Sequence, residues 1–172
     1  MPRKKVNTQN EVVLALDISL KSTGWAIVSY DGSSIRLIAY GEITTNAKQT
    51  HGQRLAVIRK GLAEVEGRYE ITTIVKEAGF SRFPKETQAL FKAHGVTEEL
   101  FNLYGVKEYA PATIKKVVTG NGRAKKDEVE LGVRNILLLP PTVQFNSDDA
   151  SDAVAVALTH LIQTHKELAS GG

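Results

Sequence analysis

The sequence has 172 residues, a length that suits one compact domain better than two. It contains no cysteine, which excludes disulfide scaffolds, thiolate zinc sites and thiol nucleophiles. The net charge is only +3, and no apolar run approaches the ~20 residues of a membrane span. The basic N-terminus is not followed by the apolar stretch of a secretory signal. We therefore expect a soluble, cytoplasmic protein with no membrane partner.

The first part of the chain is predicted to form three strands. Residues 1–10 are polar and basic and are expected to be a disordered tail, followed by a single domain over residues 11–169. Residues 12–16 are continuously apolar, as in a strand that is covered on both faces. Asp31-Gly32 separates the second predicted strand from the third and is a strong hairpin signal. An antiparallel meander is predicted from strands over residues 12–16, 24–30 and 34–44.

Helices alternate with two more strands over the remaining residues. Apolar side chains at spacings of three and four predict helices over residues 49–66, 85–103, 111–118, 125–138 and 150–168. Two further short strands are predicted over residues 71–75 and 106–109. Gly95 is a candidate break or kink in its helix. Three hairpin strands followed by two strands between helices predict an α/β fold, with a mixed five-stranded sheet flanked by helices.

Four carboxylates stand where charge is unexpected. Asp17 directly follows a core strand, and Glu77 ends the fourth predicted strand. Asp149 and Asp152 lie three residues apart at the start of the last helix, on one face. Each has an ordinary explanation: Asp17 as a turn cap, Glu77 as a solvated strand end, and Asp149 as a helix cap. Asp152 fits such explanations least, because apolar residues surround it and a buried carboxylate needs a partner.

A divalent cation would account for all four carboxylates together. Hard oxygen ligands without cysteine suit Mg²⁺, with Mn²⁺ as a substitute, rather than zinc. Two such ions ~3.5–4 Å apart can stabilise the attacking and leaving oxygens of a phosphoryl displacement. A two-metal site is therefore predicted, with the ligands Asp17, Glu77, Asp149 and Asp152. His160, eight residues beyond Asp152, is taken as a satisfied or solvated histidine rather than a ligand.

A glycine-rich turn over residues 119–123 separates two basic helices. Backbone N–H groups at the start of a helix can bind a phosphate oxygen, and lysine and arginine add positive charge. The spacing is not that of a phosphate-binding P-loop, so no nucleotide cofactor is indicated. A solvated helix face is the ordinary reading of such a segment, and nucleic-acid binding is the functional one. The basic side chains concerned are Lys115, Lys116, Arg123, Lys125 and Lys126.

Three motifs resemble those of the RuvC family of Holliday-junction resolvases. Residues 13–27, VLALDISLKSTGWAI, look like the family's first-strand motif, and residues 74–80, IVKEAGF, resemble its second acidic motif. Residues 149–160, DASDAVAVALTH, are similar to its C-terminal motif and are the most specific of the three. The basic segment over residues 114–126 also matches, so the resemblance covers about residues 12–165.

The resemblance implies a ribonuclease H-like fold, a homodimer, and Mg²⁺-dependent cutting of two strands at a four-way DNA junction, with forks as a further class of branched substrate. Products with a 5′-phosphate are implied as well. The family's catalytic and metal-ligand roles fall on Asp17, Glu77, Asp149 and Asp152. Its DNA-contact roles fall on Lys115 and Lys126, and Phe80 matches an aromatic residue that the family places near the junction's bases.

Two features depart from the family pattern. Ile18-Ser19 replaces the Pro-Gly that often follows the first aspartate, and the small residues Ala78-Gly79 precede Phe80. Because this loop would lie beside the DNA, we expect a preference for branch type or sequence that differs from that of cellular enzymes. The divergence resembles that of phage-encoded members, which would act in the host cytoplasm.

Other functions stay open on the sequence alone. ATP-using relatives of this fold have a glycine-rich phosphate loop that this sequence lacks, and the chain is short for their two lobes. Another ribonuclease H-like nuclease, acting on RNA–DNA hybrids or simple ends, is a closer alternative. A junction-binding architectural protein would keep the fold without cleavage, although the four retained carboxylates argue against it.

Overall fold

The computed structural model describes residues 10–170, so the predicted N-terminal tail lies outside the described residues except for Asn10. The strands are β1 (Glu11–Asp17), β2 (Ser22–Tyr30), β3 (Ile35–Thr44), β4 (Thr73–Glu77) and β5 (Lys107–Tyr109). They form one sheet in the order β3-β2-β1-β4-β5. The first three strands are antiparallel, whereas β4 pairs parallel with β1 and β5 pairs parallel with β4. The prediction of a mixed five-stranded sheet is confirmed.

The helices of the described residues follow the predicted order. They are α1 (His51–Arg68), α2 (Pro84–Leu100), α3 (Pro111–Thr119), α4 (Lys126–Leu137), α5 (Asp148–Thr164) and α6 (Lys166–Ala169). Proline begins α2 and α3, where its missing N–H and preset φ are tolerated. No helix among residues 10–170 is long and apolar enough to cross a membrane.

Side-chain alternation along β1 separates two apolar cores. Val13 and Ala15 face a core formed with α3, α4 and α5, whereas Leu14 and Leu16 face a core formed with α1 and α2. Because successive strand residues point to opposite faces, the next residue, Asp17, lies on the α5 face. In β4 the same alternation places Val75 in the α5 core and Ile74 in the other. The pattern thereby brings two strand ends with acidic residues to one face of the sheet.

The β2–β3 hairpin forms where Asp31-Gly32 predicted it. The Asp31 carboxylate accepts hydrogen bonds from the backbone N–H groups of Ser33 and Ser34, at 2.9 and 2.8 Å. Gly32 has φ +89°, a conformation that side chains with a Cβ rarely adopt. The local chemistry of the turn therefore accounts for the hairpin.

Two predicted helix features are wrong. Gly95 does not break α2, since the helix continues through it to Leu100. The last helix does not run unbroken to residue 168, because α5 ends at Thr164 and His165 has extended backbone angles. The His165 imidazole Nε2 lies 2.7 Å from the carboxylate of Glu11 at the start of β1. This tertiary hydrogen bond competes with continuation of the helix, and the apolar periodicity carried no sign of it.

Candidate active site

Asp17 and Glu77 end two neighbouring parallel strands. The register places Leu16 opposite Lys76, so the next residue of each strand projects from the same end and face of the sheet. The two carboxyl groups share a hydrogen bond, which requires that one of them carry a proton. The turn after Asp17 is instead closed by Ser19 and Thr23, whose hydroxyls bond the backbone across residues 19–23. Ser19 and Thr23, and not Asp17, thus provide the side-chain hydrogen bonds of this turn.

Helix α5 brings the other two carboxylates across the sheet. Asp149 lies in its first turn and Asp152 one turn further along, so both side chains share one side of the helix. The helix start approaches β2 closely at Gly24, the residue paired with Asp17. A Cβ at Gly24 would lie 2.0 Å from the carbonyl oxygen of Asp149. Glycine at this position therefore allows helix α5 to lie this close to strand β2.

All four predicted carboxylates line one cavity of about 320 Å³. Apolar residues of α3, α4 and α5 form its inner wall, and two lysines complete its rim. Its ionisable lining residues are Asp17, Glu77, Asp149, Asp152, Lys115 and Lys126. Residues separated by more than 130 positions in the sequence thus meet at a single surface cavity, as the convergence argument predicted.

The protonation of the cavity follows from burial and from repulsion between like charges. Burial, followed by the charges of Glu77, Asp152 and Asp149, raises the pKa of Asp17 to about 8. Burial also raises the pKa of Asp152 to about 6, with Lys126 acting in the opposite direction. For Glu77, burial raises the pKa although its hydrogen bond with Asp17 and nearby lysines oppose the shift. Near neutral pH the metal-free site therefore keeps one proton on the Asp17–Glu77 pair.

Lys115 and Lys126 provide positive charge at the cavity rim. Lys126 Nζ lies 3.7 Å from Asp148 and 3.9 Å from Asp152, and its side chain is 70 % exposed. Burial alone would lower the pKa of Lys126, but the surrounding carboxylates, Asp152 first, raise it. The other predicted DNA-binding residues of this segment are exposed but do not line the cavity: Lys116, Arg123 and Lys125.

The donor chemistry of the cavity fits a hard divalent cation. Four carboxylates without a histidine or thiol in the lining are the ligands that Mg²⁺ and Mn²⁺ prefer. Within residues 10–170, no group of three or more histidine, aspartate or glutamate side chains is already arranged to hold a metal ion. Instead, Asp17 is hydrogen-bonded to Glu77 and Asp152 lies near the Lys126 ammonium, and both contacts compete with a cation. The charge of a bound ion would offset the burial and the repulsion between carboxylates that raise the pKa of Asp17.

Phe80 lies beside this site, with 73 % of its surface exposed. It lines a second cavity that contains Asp17, Glu77 and also His94 of α2. Nothing in the sequence around His94 pointed to this position, because a histidine in the middle of an amphipathic helix is commonly a surface or core residue. The strand-to-helix loop over residues 78–83 bends α2 back past the carboxylates and brings His94 there.

Two polar clusters were missed by sequence reasoning. The Lys76 ammonium is buried between β4, β5 and α2, at 2.6 Å from Glu98 and 3.0 Å from Glu108. Its position after apolar Ile74 and Val75 was a signal of burial, but the partners could not be identified from the sequence. At the far end of α5, His160 Nε2 lies 2.6 Å from Glu11. The interpretation of His160 as a satisfied histidine is thereby confirmed.

Comparison with known proteins identifies what this arrangement resembles. The family model for crossover junction endodeoxyribonuclease RuvC matches residues 13–160. A protein of that name from Ehrlichia canis (strain Jake) is 40% identical over 152 residues, covering 86% of this chain and 94% of the relative. Its counterpart from Rhizobium etli (strain CIAT 652) is 33% identical over 156 residues, covering 88% of this chain and 90% of the relative.

The solved structures agree with the sequence comparison. The structure of T. thermophilus RuvC in complex with a Holliday junction substrate superposes with a TM-score of 0.81. It is 26% identical, and the match covers 92% of this chain and 97% of that one. This likeness confirms the predicted ribonuclease H-like fold. The phage origin inferred from the divergent motifs is not supported, because the curated relatives compared are bacterial. The chain belongs to the RuvC family of crossover junction endodeoxyribonucleases.

Proposed function

We propose that this protein cuts four-way DNA junctions by metal-dependent hydrolysis of phosphodiester bonds. The observation that carries the proposal is the convergence of Asp17, Glu77, Asp149 and Asp152 on one cavity with lysines at its rim. A structural role does not require four carboxylates so close that burial and repulsion raise the pKa of Asp17 to about 8. Such a site stores repulsion that a divalent cation relieves, and its lysines attract a phosphate backbone.

The carboxylates would hold the cations, two per site by our expectation, with Mn²⁺ able to replace Mg²⁺. When bound, such ions supply charge for an in-line displacement at phosphorus and lower the pKa of a bound water. The protein's own part is positioning: β1 is the central strand, so Asp17 is held by hydrogen-bonded neighbours on both sides. Because the pKa of Asp17 lies near 8, metal binding near neutral pH must release protons.

The basic residues would hold the DNA backbone. Lys115 and Lys126 reach the cavity, while Lys116, Arg123 and Lys125 extend positive charge along α3 and the start of α4. Phosphate contacts of this kind position DNA without reading its sequence. Lys115→Ala and Lys126→Ala are expected to weaken junction binding and to reduce its dependence on salt concentration. Salt slopes equal to that of the wild type would remove the two lysines from the interface.

A homodimer would match the symmetry of the substrate. A four-way junction consists of four strands, of which two opposing ones are cut, and each chain carries one carboxylate cavity, so two copies provide one site for each cut. Sedimentation of the protein alone and with junction tests this point, with two chains per junction expected. Because the proposed substrate is DNA and the similar proteins are bacterial, we propose that this protein acts in the cytoplasm.

A substrate panel tests the proposed function. Labelled four-way junction, fork and linear duplex are incubated with the protein in Mg²⁺, Mn²⁺ or EDTA. Symmetric nicks near the branch point, with metal only and absent from linear duplex, are expected. Cutting of forks as well would extend the activity to other branched DNA. Tight junction binding without cleavage in either metal would contradict the proposal and favour an architectural protein.

A further inference from the structure

A second cavity opens beside the carboxylates, between the β4–α2 loop and helix α2. Its volume is about 180 Å³, smaller than the ~300–1,000 Å³ of cavities for whole small molecules. Asp17 and Glu77 belong to its wall as well as to that of the first cavity. A DNA strand whose phosphate lies at the carboxylates would therefore bring its adjoining nucleotide to this opening.

His94 is the unusual member of the wall. Only 4 % of its surface is exposed, and among the described residues it makes no hydrogen bond. Buried polar groups in folded proteins are nearly always hydrogen-bonded. Within residues 10–170, Ser147 Oγ is the one fully enclosed side-chain nitrogen or oxygen that lacks a hydrogen-bond partner. The His94 nitrogens are therefore not fully enclosed by the protein. The imidazole is thus a buried group with hydrogen-bonding capacity that lines this cavity.

The loop backbone keeps His94 accessible. A Cβ at Gly79 would lie 2.9 Å from His94 Nε2, so glycine at this position leaves room for the imidazole where it stands. Helix α2 is held in place from behind by the Lys76 ammonium, which contacts Glu98 of α2 at 2.6 Å. Burial, and then the charge of Lys76, lower the pKa of His94. A neutral imidazole presents one N–H donor and one acceptor nitrogen.

The composition of the wall decides the class of ligand. Its acidic members are Asp17 and Glu77, and unlike the first cavity it is lined by no lysine or arginine, so it offers no basic side chain to a phosphate. Burial, the largest cause of the lowered pKa of His94, disfavours a positive charge on the imidazole. Leu90 and Phe80 supply apolar surface, and Phe80 is exposed at 73 %. A neutral planar ring with polar edges satisfies all of these conditions.

We propose that this cavity receives one unstacked nucleobase of the strand being cut, and that His94 hydrogen-bonds its edge. The inference rests on the proposed function, because it needs a DNA strand at the carboxylates. It assigns sequence preference next to the cut to a residue of α2. Aromatic and apolar surface at the cavity mouth suits a stacked base, and the imidazole of His94 in the wall distinguishes bases by their donors and acceptors.

The first test measures preference at the cut. Junctions that carry each of the four bases at each position flanking the cut are cleaved by the wild type, His94→Leu and Gly79→Ala. The leucine variant removes hydrogen bonding at similar volume, and the alanine variant displaces the imidazole. At one position, we expect the ratio between the best and worst base to fall about three- to tenfold in both variants. The exposed histidine variant His51→Leu serves as the control and should keep the wild-type ratio.

The second test does not depend on cleavage. The junction carries 2-aminopurine at successive positions near the branch, and its fluorescence is recorded on binding in EDTA. A change at one position for the wild type, reduced in His94→Leu and retained in His94→Gln, supports the inference. Absence of any change, or an equal change in His94→Leu, would overturn it. If this signal depends on His94 but no substrate is cut in metal, the proposed function fails while the base site stands.

Discussion

The contact between Gly24 and α5 gives a prediction with a geometric magnitude. In Gly24→Ala, the new Cβ would lie 2.0 Å from the carbonyl oxygen and 2.4 Å from the carbonyl carbon of Asp149. These are backbone atoms, so no side-chain rotation relieves the clash. The start of α5 must therefore move away from β2 by about 1 Å to restore even a tight contact. This displacement separates Asp149 and Asp152 from Asp17, which stays with β1.

The expected effect on catalysis is larger than the effect on stability. A misplacement of about 1 Å in a catalytic constellation can cost ~10²-fold in rate. Overpacking of a close contact costs about 1–3 kcal/mol of unfolding free energy. We therefore expect Gly24→Ala to fold and to bind junction through the unmoved lysines, but to cut it at a rate reduced on the order of 100-fold.

The assay is single-turnover cleavage of a labelled junction at saturating metal, with thermal unfolding measured in parallel. Gly67→Ala is the matched control, because a Cβ at this position in α1 meets nothing within 4 Å. Removing a helical glycine should raise the unfolding free energy by about 0.5–1 kcal/mol and leave cleavage unchanged. Cutting by Gly24→Ala at the wild-type rate would refute the claim that the α5–β2 distance sets the geometry of the site.

Three further predictions concern charge. Because the pKa of Asp17 is raised to about 8, folding favours its protonated form. In EDTA, the unfolding free energy should therefore fall as pH rises from about 4 to 8, by at most about 1.4 kcal/mol per pH unit. Calorimetry should find this pH dependence reduced in Asp17→Asn. Hydrogen bonds from two histidines and a threonine outweigh the effect of burial and lower the pKa of Glu11 to about 2. The stability that the ionised Glu11 contributes is present above its ordinary pKa of 4.5 and is lost as pH falls toward 2. Acid unfolding of Glu11→Gln should lack this loss. Lys76→Met replaces the buried ammonium with an apolar side chain and should change the unfolding free energy little. The double variant Glu98→Gln with Glu108→Gln should lose about 3 kcal/mol of unfolding free energy, because the Lys76 charge is left unpaired. Equal losses for the two variants in urea unfolding would contradict this account of the cluster.

The elements that carry the site could be predicted because their signals are local. The continuous apolar run of β1 ends at Asp17, and a charge placed there has to lie at the rim of the core. Asp152 sits among alanines and valines in α5, so its partial burial was readable from the helical period. Alternation in the strands then put Glu77 on the same face as Asp17.

The features that sequence reasoning missed depend on contacts between distant segments. His94 is 17 residues beyond Glu77, and only the reversal of direction between β4 and α2 brings it beside the carboxylates. The break after Thr164 follows from a hydrogen bond to Glu11 at the opposite end of the sequence. Periodicity describes which face of a helix is apolar, but it holds no information on which polar group will meet a given side chain.

The central claim is that the four carboxylates form a metal-dependent site that cuts branched DNA. Its most direct test is cleavage and binding of one labelled four-way junction in Mg²⁺, measured side by side for the wild type and Asp17→Asn. We predict paired nicks near the branch point with the wild type, and binding of similar affinity without nicks with Asp17→Asn. Cleavage by Asp17→Asn at the wild-type rate, or wild-type cleavage that persists in EDTA, would contradict the account.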